Sequence, residues 1–98
     1  MEFVIKNINK SINDLMRGIG YHPAYFQKEG EFSIVRQVGR NDYPRFHLYI
    51  VKNGQDFIFK LHLDQKKPSY EGQAGHSGEY DGNVVEGEAE RIKEILTV

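Results

Sequence analysis

The feature that most constrains the fold is a pair of alternating runs, residues 45–51 and 56–64, joined around Asn53-Gly54. Phe46, Leu48 and Ile50 alternate with Arg45, His47 and Tyr49, and Phe57, Phe59 and Leu61 alternate with Ile58, Lys60 and His62. A period of two marks a strand with one buried face, and Asn-Gly between two such runs is the strongest short-range hairpin signal. A two-residue turn at Asn53-Gly54 pairs Ile50 with Phe57, Leu48 with Phe59 and Phe46 with Leu61, all on one face. A slip of one residue would set core positions against Lys60 and His62, so the buried face is expected to specify the alignment.

The flanking segments supply what covers that face. Residues 2–6 are rich in β-formers and short enough for an edge strand. Ser11 precedes Ile12, Leu15, Met16 and Ile19, which fall on one helical face, and Ser11-Ile12-Asn13-Asp14 has the form of a capping box with Asp in place of Glu. Gly20 stops this helix, and His22, directly before Pro23, falls in a loop. Between residues 24 and 38 two strand-like runs flank Glu29-Gly30, a turn that sets Lys28 opposite Glu31. Asn83 caps a last helix with Val85, Ala89, Ile92 and Leu96 inward and Glu86, Glu90, Arg91, Lys93 and Glu94 on a solvated face.

The order β-α-β-β-β-β-α predicts an α+β fold: a single layer of four to five mostly antiparallel strands with two helices packed on one face, in one domain over residues 1–98. The six apolar hairpin residues are expected under Ile12, Leu15, Ile19, Val85, Ala89, Ile92 and Leu96.

Function must then be sought on the hairpin's other face, and composition narrows the chemistry available there. With no Cys, a disulfide scaffold, a thiolate-ligated metal and a thiol nucleophile are excluded, and a reduced, cytoplasmic location is expected. Thirteen Lys+Arg against fourteen Asp+Glu leave a net charge of -1, so bulk charge does not call for nucleic acid. The longest strongly apolar run, Leu48-Tyr49-Ile50-Val51, is too short for a membrane span, and no membrane partner is expected. The charge is uneven: residues 1–63 hold nine basic and six acidic side chains, residues 64–98 four and eight. A mildly basic sheet beside an acidic helix leaves a homodimer open without indicating one.

In the expected register the polar face carries Arg45 opposite His62, His47 opposite Lys60 and Tyr49 opposite Ile58, with Asp64 two residues beyond His62. His47 and His62 become diagonal neighbours, about 7–8 Å apart at the backbone. Three chemistries compete there with a merely solvated surface. A metal ion would use His47, His62 and Asp64, with His76 from the following loop; Arg45 and Lys60 in the same cluster would repel it, so neither metal nor other cofactor is expected. The same two cations favour an anion, with Arg45 clamping a phosphate or carboxylate, Lys60 adding a point charge and the imidazoles donating hydrogen bonds. In the catalytic version one histidine is general base and the other general acid, the equipment of a small metal-independent phosphodiesterase or ribonuclease. The leading expectation is a binding module that recognises an anionic group, RNA among the candidates, through Arg45, His47, Lys60, His62, Asp64 and His76. The alternative is the phosphodiesterase, with His47 and His62 as its catalytic residues.

Residues 65–82 hold four Gly and one Pro without periodicity, and loops of this length are usually functional or disordered. Gly72-Gln73-Ala74-Gly75-His76-Ser77-Gly78 lies between a predicted strand and a predicted helix, where glycine loops cradle phosphates. No Lys-Ser/Thr follows it and no Gly-x-Gly-x-x-Gly occurs, so a nucleotide site is not expected. Tyr70 and Tyr80 are the loop's large apolar bodies. The loop is expected to fold across the polar face on them and bring His76 toward His62.

The runs Pro44-Arg45-Phe46-His47-Leu48, Leu61-His62-Leu63-Asp64-Gln65-Lys66-Lys67-Pro68-Ser69-Tyr70 and His76-Ser77-Gly78-Glu79-Tyr80-Asp81 resemble those of small uncharacterised proteins of candidate-phyla bacteria. That resemblance covers most of the chain and implies a compact α+β domain, with no residue role attached. Separately, Asp14-Leu15-Met16-Arg17-Gly18-Ile19-Gly20-Tyr21 is similar to the opening helix of toxin-type mRNA interferases built on the double-stranded-RNA-binding fold. The histidine motif that those enzymes carry on their early strands has no counterpart between Tyr21 and Pro44.

Overall fold

Two nine-residue strands form the centre of the sheet, as the alternating pattern requires. In the computed structural model, which describes residues 1–65, 78–79 and 82–97, the order is β1 (Glu2–Ile5), α1 (Ile12–Ile19), β2 (His22–Pro23), β3 (Phe32–Gln37), β4 (Arg45–Asn53), β5 (Asp56–Asp64), β6 (Gly78–Glu79) and α2 (Asn83–Leu96). The fold is α+β, with one antiparallel sheet of order β1-β5-β4-β3-β2 and two helices; β6 pairs with β5 off this path, opposite Leu63 and Asp64.

The hairpin register differs from expectation by two residues. Asn53 stays in the ladder opposite Asp56, and the two-residue turn is Gly54-Gln55, with Gly54 at φ 66°. Glycine at the first central position with no positive φ at the second is the type II′ pattern, which matches strand twist as well as the expected type I′ does. The observed pairing is Ile50 with Phe59, Leu48 with Leu61 and Phe46 with Leu63. All nine residues of each strand are thereby used, and Arg45 meets Asp64. In the expected register Leu63 and Asp64 would have projected past the start of β4. A shift of two leaves every side chain on its face, so the core composition is unchanged.

That core comprises Phe46, Leu48, Ile50, Phe57, Phe59, Leu61 and Leu63 from the hairpin, Ile5 and Ile34 from its neighbours, Leu15, Met16 and Ile19 from α1, and Val85, Ala89 and Ile92 from α2. Ile12 and Leu96, expected at its centre, are only partly buried at its margin. At the sheet edge Phe3 stacks on Phe59 at 5.1 Å between centroids. Helix α1 begins as its sequence directs, with Ser11 Oγ accepting from the Asp14 N–H at 3.1 Å, and ends at Gly20 with φ 82°.

Three local expectations are corrected. His22 lies on an exposed two-residue edge strand opposite Val35 rather than in a loop. Of the first run in 24–38 only the isolated Lys28–Glu31 bridge is β-structure, because the Gln27 amide occupies the edge of β3: its Oε1 accepts from Ser33 N–H at 2.9 Å and its Nε2 donates to Ser33 O at 2.8 Å. Gly82, not Asn83, is the N-cap of α2 and makes no side-chain capping bond.

The inner face of α2 is also not wholly apolar, and Arg91, expected on its solvated face, is only partly exposed. Glu88 is 5% exposed and accepts from Tyr21 OH at 2.6 Å and from Arg91 Nε and a terminal guanidinium nitrogen, each at 2.8 Å. Arg91 also donates to the Ile19 carbonyl at 2.6 Å, tying the end of α1 to α2, and Arg36 approaches Glu88 at 3.5 Å. Burial, then the Glu88 charge and hydrogen bond, push the Tyr21 hydroxyl far above the usual phenol range. Among the described residues no helix is long and apolar enough to cross a membrane.

Candidate functional site

On the face away from the helices, the register sets His47 directly opposite His62 and Arg45 opposite Asp64. The two histidines are therefore closer than the expected diagonal, with ring centroids 5.0 Å apart. Cross-strand partners share a face, and the next strand contributes Ser33, which pairs with Tyr49. A cleft of about 450 Å³ opens over this group, bordered by Phe26, Gln27, Lys28 and Glu31.

Asp64 is the hub. His62 Nε2 lies 2.8 Å from its Oδ1, His47 Nδ1 3.4 Å from its Oδ2 and Arg45 Nε 3.8 Å from the same oxygen. Burial raises the Asp64 pKa, but hydrogen bonds from His47 and His62 and the histidine charges outweigh it and hold the carboxyl well below the usual carboxylate range. The other nitrogen of His47, Nε2, is 2.5 Å from Ser33 Oγ. Tyr49 stacks on His47 at 4.3 Å, with its hydroxyl 3.5 Å from His47 Nδ1. These contacts hold the imidazole on both edges and across one face. Ser33 and His62 are buried, and the strands that carry them are central, so the group is rigidly placed.

Arg45 is held differently. Its guanidinium lies over the Tyr43 ring, 4.7 Å from the centroid. Its Nε is buried, lies 3.8 Å from Asp64 Oδ2 and has no hydrogen-bond partner among the described residues. Phe26 borders the cleft and packs edge to face with Tyr25 at 5.0 Å; the two are 77% and 92% exposed.

Of the residues singled out from the sequence, the structure brings together Arg45, His47, His62 and Asp64. Lys60 is exposed opposite Tyr49 and Glu2 and lines an adjoining concavity with Met1, Glu2, Tyr49 and His62. His76, Tyr70 and Tyr80 lie outside the described residues; of the stretch 65–82 expected to fold across this face without regular structure, Gly78–Glu79 instead pairs along β5 opposite Leu63 and Asp64. Sequence reasoning missed Ser33, Gln27 and the Tyr25–Phe26 rim. Ser33 was legible only through the β3–β4 register, for which no turn of fixed length gives a count.

Compared with protein-family models, with curated proteins and with solved structures, the chain matches none. The chemistry of the site therefore has to be argued from its own geometry.

Proposed function

We propose that the chain is a binding module for an anionic group, specifically a phosphodiester of single-stranded RNA, in the cleft over Arg45, His47 and His62. The observation that carries this reading is Arg45 at the wall of the cleft, its Nε 3.8 Å from Asp64 Oδ2 and without a hydrogen-bond partner among the described residues. Such a donor is costly unless something satisfies it, and a phosphate oxygen fits a guanidinium edge. The exposed Tyr25–Phe26 pair at the same rim supplies faces for base stacking, and Lys28 a second cation. A reduced, cytoplasmic setting is part of the proposal and accords with the absence of Cys.

The test is fluorescence anisotropy of a labelled single-stranded RNA titrated with protein in the presence of a chelator. Two phosphate contacts give a slope of log K against log salt of about -1.4 for a single strand. Arg45→Ala should lower that slope by about 0.7, and Phe26→Ala should weaken binding about tenfold or more, as loss of one stacked base does. No saturable binding, or binding indifferent to Arg45→Ala, overturns the proposal. RNA cleavage that disappears in His47→Ala would instead favour the phosphodiesterase. The 5.0 Å ring contact argues against that outcome, because it leaves no space for a phosphate between the two imidazoles.

A further inference from the structure

The His47, His62 and Asp64 ligating atoms all lie within 4.8 Å of one another. From this we propose that the three side chains bind one divalent transition-metal ion of the zinc class, with the remaining coordination positions open toward the cleft. Metal–nitrogen and metal–oxygen bonds of about 2.0–2.2 Å place neighbouring tetrahedral ligands roughly 3.3–3.5 Å apart. The carboxylate is already 3.4 Å from His47 Nδ1 and 2.8 Å from His62 Nε2, so small side-chain rotations centre an ion among them. Two imidazoles and one carboxylate suit zinc, iron, cobalt or nickel, whereas calcium and magnesium take oxygen ligands.

The support around the ligands is of the kind metal sites use. A ligating histidine has its second nitrogen engaged, which fixes the ring and the tautomer. Here Ser33 Oγ sits 2.5 Å from His47 Nε2. A hydroxyl both donates and accepts. That contact holds in either role: on ion binding the hydroxyl accepts from Nε2–H, and the Nδ1 beside Asp64 offers its lone pair to the metal. The expectation that no metal is needed rested on two cations inside the cluster. Lys60 is exposed and faces Glu2 across the ladder, in an adjoining concavity that shares Tyr49 and His62 with the cleft but not His47 or Asp64. Of the two, Arg45 is the one in the cluster, 3.8 Å from Asp64 Oδ2. It competes with the ion for that carboxylate, and so its removal tightens metal binding.

This proposal does not rest on the RNA reading, and its test contains no RNA. Zinc chloride alone is titrated into the chain by isothermal calorimetry, and cobalt(II) in parallel by visible absorption, with folding of every variant checked by circular dichroism. The expected result is one ion per chain, a raised melting temperature, and a cobalt spectrum of four-coordinate type. His62→Gln and Asp64→Asn each weaken binding by more than about tenfold, Ser33→Ala weakens it about tenfold as loss of an outer-shell partner does, and Arg45→Ala strengthens it. Absence of saturable binding overturns the proposal. So does one-to-one binding that is unchanged in folded His62→Gln and Asp64→Asn, which would place the ion elsewhere. RNA binding in chelator together with no zinc binding would retain the first reading and discard this one.

Discussion

Replacing Glu88 by alanine is the sharpest test of how the helices are held to the sheet. The substitution removes the acceptor of a buried phenol at 2.6 Å and both carboxylate contacts of Arg91 at 2.8 Å. A hydrogen bond to a charged group contributes about 1.5–3 kcal/mol. Breaking a fully buried ion pair costs about 3–5 kcal/mol, but the Arg91 and Arg36 side chains are 33% and 37% exposed, so water compensates them and their pairs add only about 0–1 kcal/mol each. The net expectation for Glu88→Ala is a loss of about 3 kcal/mol, or on the order of 15 °C in Tm for a domain of this size. Glu88→Gln keeps the volume and one acceptor oxygen, and should lose about half as much. Urea unfolding followed by circular dichroism measures both. The coupling is as informative as the size: Tyr21→Phe should destabilise the parent chain by roughly 1–2 kcal/mol and be nearly neutral in the Glu88→Ala background, where the hydroxyl has already lost its partner. A cost below about 0.5 kcal/mol for Glu88→Ala, the range of ordinary surface substitutions, would refute the reasoning, as would an equal effect of Tyr21→Phe in both backgrounds.

The same groups set the pH dependence. The Tyr21 pKa is raised in the folded chain, so its contribution to stability is fully present below about pH 10 and falls above it by about 1.4 kcal/mol per pH unit; Tyr21→Phe should flatten that alkaline limb by this amount in urea midpoints taken at successive pH values. The Asp64 pKa is lowered, so the sign reverses: its contribution is present above about pH 4 and is lost as pH falls further. In chelator, Asp64→Asn should therefore show less acid destabilisation than the parent chain. Gly18 has open space where a Cβ would go, and Gly18→Ala in the exposed last turn of α1 should raise stability by roughly 0.5–1 kcal/mol. Gly54→Val, at φ 66°, should lower it by about 1–2 kcal/mol or more, both read from the same urea curves.

The elements that the sequence discloses are those with local causes. The β4–β5 alternation, the Ser11 cap, the Gly20 stop and the apolar repeat of α2 each act within a few residues, and each appears in the structure where its pattern puts it. What stayed hidden depends on distant partners. Glu88 reads as one more charge on an acidic helix until Tyr21, sixty-seven residues earlier, is seen to donate to it. The open-face polar group was half legible: His47, His62, Asp64 and Arg45 follow from the period of two. Ser33 and the Gln27 amide depend on how β3 docks, and the connection of residues 38–44 leaves that register unspecified.

The hairpin register joins the fold to the site. The core cannot distinguish the expected pairing from the observed one, since both place the same apolar residues inward. The difference lies in the turn and the strand ends, where Gly54 takes the left-handed position, Leu63 closes over Phe46 and Asp64 reaches Arg45. Only the observed pairing sets His47 against His62 with Asp64 beside both. In the other, Lys60 would stand opposite His47, and the cleft would hold a scattered basic surface instead of two imidazoles around one carboxylate. Hydrophobic patterning thus makes the sheet, but a single turn residue and two end pairs decide which chemistry its open face can perform.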